Sequence, residues 1–199
     1  MHTGTCITVP DDTEQTTTTI NGNYIWSHGY QPTEPQHPTE QHNMNPTPTI
    51  ETMIKENDKW TVRSLHCTDK GRHIADAIRE GKDIAVCDGS YKEQFGTAGF
   101  VIQYGDSKEA WVTGAHVTPG HADDINPYSS ELGGILALVA VAEAIAELYN
   151  IKDGSVELGC DCQSGITAIF EHEYDTPKQP HHDIIHETRK KLEYSRITW

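Results

Sequence analysis

Three acidic residues stand in the most apolar stretches of this chain: Asp88 in "DIAVCDGSYK", Glu131 in "YSSELGGILALVAV" and Asp161 in "ELGCDCQSGITAI". An ionised carboxylate among such neighbours is costly unless something pairs it. Three of them brought together repel and take up protons unless cations hold them. With two divalent ions about 3.5–4 Å apart, such a set makes the clamp used in phosphodiester hydrolysis. All-oxygen donors suit Mg²⁺ or Mn²⁺ rather than zinc. Taken singly, each acid has a plainer use. Asp-Gly-Ser at 88–90 is ordinary turn chemistry, and the other two could cap a helix or close a turn.

Whether the acids meet depends on the elements that carry them. Apolar runs broken by Gly96 and Gly105 predict three hairpin-linked strands over residues 84–91, 97–105 and 109–117. "SSELGGILALVAVAEAIAELYN" predicts a helix from Ser129 to Asn150, apolar on nearly every face and so buried against a sheet. A fourth strand follows over 155–160, then a short helix in "QSGITAIFEHE". Next comes an amphipathic helix in "HHDIIHETRKKLEY" with Ile184, Ile185, Thr188 and Leu192 inward, and "RITW" begins a fifth strand. This order predicts an α/β fold, a mixed sheet of three antiparallel strands followed by parallel ones, flanked by helices. Asp88 then ends the first strand, Glu131 lies in the first turn of the buried helix, and Asp161 ends the fourth strand. With the fourth strand beside the first, all three converge.

Composition sets the surroundings. Residues 1–50 contain no Lys or Arg and are rich in Thr, Pro, Gln and His, which predicts a disordered low-complexity leader. Residues 51–82 read as a linker with a short helix over 71–80, ended near Gly81. The first residues lack the basic and apolar regions of a signal peptide, and no run is long enough to span a bilayer. Five cysteines, an odd number without a framework, predict a reduced, intracellular chain, cytoplasmic or nuclear. Cys160 and Cys162 flank Asp161, but a lone Cys-x-Cys is a weak zinc signal. They read as side chains at a strand end. The net charge of −15 opposes non-specific contact with a phosphate backbone, so a nucleic acid partner requires metal ions or a basic neighbouring domain.

In this order, "AVCDGSYKEQFGTAGFVI", "YSSELGGILALVAV" and "ELGCDCQSGITAI" resemble the three successive acidic motifs of the ribonuclease H family. The flavour is that of the domains at the C-terminal ends of retroelement reverse transcriptases, and the resemblance spans about residues 83 to 199. It implies a ribonuclease H-like sheet and a metal-dependent endonuclease that hydrolyses the RNA strand of RNA–DNA hybrids. It also implies Asp88, Glu131 and Asp161 as catalytic and metal-binding residues, with two Mg²⁺ ions or Mn²⁺ in their place. Ser129 and Ser130 are the implied donors to RNA 2′-hydroxyls, and an upstream reverse transcriptase domain is the implied partner.

The chain departs from that pattern in two ways. The family places a Gly-His-x-Asp loop and a fourth acid after the fifth strand, and this sequence stops at Trp199, inside that strand. The expectation is a C-terminally incomplete domain with impaired cleavage. The alternative is a catalytically inactive module of the same fold, kept as a structural part or tether. Two other stretches imitate sites. "PGHADD" at 119–124 precedes the helix rather than following the last strand, so His121 reads as a loop residue. His182 and His186 are one helical turn apart and read as a solvated face.

Overall fold

A computed structural model describes residues 47–121, 123–171 and 178–199 in full, and the strands at 15–20 and 23–28 by their backbone. The chain divides into two compact units, Met1–Asn45 and Pro46–Trp199. In the first, strands β1 (Gln15–Ile20) and β2 (Asn23–His28) pair antiparallel, Gln15 opposite His28 and Ile20 opposite Asn23. Four successive threonines favour this extended backbone. The ribbon falls within the expected leader; the rest of that leader as far as residue 46 lies outside the described residues.

The second unit is built on a five-stranded sheet. Its strands are β3 (His66–Cys67), β4 (Asp83–Lys92), β5 (Phe95–Tyr104), β6 (Trp111–Val117) and β7 (Leu158–Gly159). The spatial order is β3-β6-β5-β4-β7; β7 pairs parallel with β4 and the other neighbours run antiparallel. The helices are α1 (Ile50–Met53), α2 (Arg72–Glu80), α3 (Pro127–Leu148), α4 (Gln163–Phe170) and α5 (His182–Glu193). The fold is therefore α/β, a mixed and mostly antiparallel sheet flanked by helices. Among the described residues, no helix is long and apolar enough to cross a membrane.

Helix α3 is the spine. Its residues from Leu132 to Ala142 are all buried, as expected for a helix apolar on every side, and it lies along one face of β4 and β5. Gly134 lets it settle close: a Cβ there would stand 3.3 Å from Cys87 Cβ, already tight. That contact fixes the two faces of β4. Asp83, Ala85 and Cys87 are buried toward the helix, while Ile84, Val86 and Asp88 are exposed on the other side.

Three expectations need correction. The segment read as a linker, 51–82, belongs to the same compact unit as the sheet. Ile50, Ile54, Val62, Ile74 and Ile78 enter its core, and Lys191 of α5 reaches Asp58 at 2.6 Å with both side chains nearly buried. The fourth strand is only two residues long. Its expected first half, together with "RITW", makes a single parallel bridge between Ser155 and Thr198 instead. Helix α3 starts two residues early. Asn126 caps it through a 2.9 Å bond from Ser129 N–H to Oδ1, and Pro127, which needs no N–H partner, takes the first position.

Candidate metal centre

The parallel pairing of β4 with β7 sets the centre. Ala85 lies opposite Leu158 and Val86 opposite Gly159. Continued one and two steps, the same register sets Cys87 beside Cys160 and Asp88 beside Asp161. Both strands thus bring a Cys-Asp pair to the same end of the sheet; Cys87 and Asp88 turn to opposite faces of β4, while Cys160 and Asp161 lie just beyond β7. Cys87 is buried and Cys160 half-buried, whereas Asp88 and Asp161 are exposed.

Helix α3 delivers the third acid at this end. With the helix beginning at Pro127, Glu131 stands in the second turn rather than the first. Gly89 makes the approach possible, because its α-carbon lies against the helix backbone: an added Cβ would sit 2.5 Å from Glu131 N. The Gly89 N–H donates to Glu131 Oε2 at 2.9 Å, and the Cys160 thiol donates to the same oxygen across 3.7 Å. No described residue engages Oε1.

Glu131, Cys160 and Asp161 each offer a ligand atom, and these atoms lie within 4.8 Å of one another. Asp88 stands outside that tight group. It shares with Cys160 and Asp161 the lining of an open depression of about 900 Å³, which also includes Val86, Phe100 and Val101. Its charge is still felt: burial, then Asp161, then Asp88 push the Glu131 carboxyl above its ordinary value, against the Gly89 hydrogen bond that pulls it down. Of the three acids expected from the sequence, Glu131 and Asp161 share the tight group with Cys160, and Asp88 lines the depression beside it.

Glu131, Cys160 and Asp161 together are a donor set that could hold a divalent cation. The thiols were missed by sequence reasoning, which set Cys160 aside with Cys162. The neighbouring Cys160 thiol, then burial, push the Cys87 thiol up, and Cys87 holds that of Cys160 down against its own burial. The signal available was the repeated Cys-Asp pair at 87–88 and 160–161, whose meaning depends on strand register.

Two assigned residues do not serve as expected. Ser129 and Ser130 are buried, and both hydroxyls donate to Asn126 O, at 2.8 and 3.2 Å. They build the start of the helix and do not face a substrate. His121 is an exposed loop residue near Asp123, and His182 and His186 stack on each other along α5, away from the metal-ligating group. In comparisons with known proteins, no family model matches the chain and no curated sequence matches it.

Proposed function

We propose that the second unit is a ribonuclease H-like domain whose Asp88, Glu131 and Asp161 hold divalent ions for hydrolysis of the RNA strand in RNA–DNA hybrids. The observation that carries the reading is the meeting of acids from separate elements. Glu131 of α3 and Asp161, just beyond β7, bring their oxygens within 4.8 Å, and Asp88 of the neighbouring β4 shares a depression with Asp161. A mixed sheet with a parallel strand beside the first long one, and a buried helix across it, suits that fold. The order Asp, Glu, Asp along the chain also separates it from transposase-like relatives of the fold, which run Asp, Asp, Glu.

The residues divide the work. The Gly89 N–H fixes one oxygen of Glu131, which leaves the other for a cation. Asp88 and Asp161 present their carboxylates at the edge of the open depression, where a backbone phosphate can approach. Bound among these oxygens, Mg²⁺ or Mn²⁺ supplies an activated water and offsets the charge of the phosphate. That offset matters because a net charge of −15 repels a polyanion. A basic neighbour such as a reverse transcriptase domain would supply the remaining attraction. Recognition of the RNA strand falls to groups other than Ser129 and Ser130.

The test is cleavage of a hybrid labelled on either strand, at low salt with Mg²⁺ or Mn²⁺, beside the Asp88→Asn variant. Cuts confined to the RNA strand and lost in the variant are expected. Metal-independent cleavage, or equal cutting by parent and variant, defeats the reading.

A further inference from the structure

The Cys160 thiol is the part of the centre that a Mg²⁺ site does not need. Mg²⁺ takes oxygen ligands, and a thiol at its edge adds nothing to its binding. Yet Cys160 is among the three groups whose ligand atoms cluster. We propose that Glu131, Cys160 and Asp161, with water in the fourth position, form a site for a thiol-seeking divalent ion of the Zn²⁺ class.

Geometry supports the donor set. Tetrahedral Zn²⁺ with Zn–S of about 2.3 Å and Zn–O of about 2.1 Å puts sulfur and oxygen ligands about 3.6 Å apart. Cys160 Sγ and Glu131 Oε2 already stand 3.7 Å apart. The Asp161 oxygen lies within 4.8 Å of both and belongs to an exposed side chain, free to close the remaining gap. The three donors come from α3 and the end of β7, and the close approach of α3 to β4 at Gly89 holds Glu131 in place. A thiolate among the donors favours Zn²⁺, Co²⁺ or Cd²⁺ over Mg²⁺ and Mn²⁺.

Binding of this ion stands on the cluster alone; its consequence rests on the hydrolytic reading. Glu131 and Asp161 would serve both ions, so Zn²⁺ would displace the hydrolytic cation and switch cleavage off.

Co²⁺ is the probe, because its bonds to thiolate absorb in the near ultraviolet and carboxylate bonds do not. The full chain, reduced with a phosphine, is titrated with Co²⁺ and then challenged with Zn²⁺ or excess Mg²⁺. The expected result is a thiolate charge-transfer band, erased by Zn²⁺ and untouched by Mg²⁺. Cys160→Ser should lose the band and bind Co²⁺ at least about 100-fold more weakly, more than the loss of an outer hydrogen bond causes. Cys162→Ser, two residues on, should keep both, which separates ligation from loosening of the segment. No band in the parent, a band that survives Cys160→Ser or vanishes in Cys162→Ser, or its removal by Mg²⁺ overturns the site. Cleavage plays no part in this readout. An inactive chain with the band sinks the hydrolytic reading alone, and an active chain without it sinks this one.

Discussion

Gly89→Ala tests how the centre is held together. A Cβ at Gly89 would meet Glu131 N at 2.5 Å, Ser130 C at 2.7 Å and Glu131 Cα at 2.9 Å, all backbone atoms of α3. Ordinary contact begins at 3.4 Å, so relief requires a shift of 0.9 Å, the difference between 3.4 and 2.5 Å. No rotamer can absorb it. The start of α3 is itself locked by the Asn126 cap and by two buried serines. A shift of that size also stretches the 2.9 Å bond from Gly89 to Glu131 beyond hydrogen-bond range. Overpacking against a fixed backbone costs about 1–3 kcal/mol, and the lost bond to a carboxylate adds about 1.5–3 kcal/mol. A loss of about 3 kcal/mol or more is expected, a large share of a typical domain's stability of about 5–15 kcal/mol. Urea unfolding at neutral pH measures it as a lower midpoint with unchanged slope. A variant within about 0.5 kcal/mol of the parent, the range of ordinary surface changes, would refute the packing argument whatever the function. On the hydrolytic reading, displacing Glu131 by about 1 Å also lowers cleavage on the order of 100-fold.

Three further predictions concern buried polar groups of the second unit. Asp83 is buried with no hydrogen-bond partner on either carboxylate oxygen, and burial raises its pKa to about 6 from 3.8; nearby backbone N–H groups of Asp83 and Glu157 offset part of this at poor geometry. The folded state thus keeps a proton that the unfolded chain releases, and stability falls as pH rises from about 4 through 6, by up to about 3 kcal/mol. Asp83→Asn should gain about 1–3 kcal/mol at pH 8 and nothing near pH 4; an equal difference at both pH values would contradict this. His116 has both ring nitrogens buried and unpartnered, and burial lowers its pKa to about 4 from 6.5. Here the unfolded chain takes the proton first, so stability falls as pH drops from 6.5 toward 4. An NMR titration should show a neutral His116 ring down to that value, and a midpoint at 6 or above would rule out the buried environment. Asp58→Ala strands the nearly buried Lys191 ammonium, with Glu187 at 3.5 Å the only acidic partner left among the described residues. A loss of about 3 kcal/mol is expected, most of it recovered when Lys191→Met is added; no recovery would mean that the pair's charges are not what the fold depends on.

How much of the centre was legible depends on the range of the interactions involved. Asp88, Glu131 and Asp161 could be read because each interrupts an apolar run, and a costly residue in such a run demands a reason. The three long strands were legible from their glycine-punctuated apolar runs, and α3 from its length. What failed was decided by distant partners. The helix start was misplaced because Asn126 and Pro127 read as loop until one knows that Ser129 answers the cap. Residues 51–82 read as a linker because their isoleucines are sparse and only Ile74 and Ile78 keep a helical spacing; α3 and strands β4, β5 and β6 together give them a core to enter. Most consequential is β7. Two residues of strand carry almost no propensity signal, yet their register against β4 decides which side chains reach the end of the sheet together. Shifted by one residue, that pairing would set Cys87 against Asp161 or Asp88 against Cys160, and would turn the other face of the short strand to the helix. The chemistry of the site is therefore written in local sequence, but its composition, carboxylates alone or carboxylates with thiols, is set by a pairing of two residues that only the packed sheet enforces.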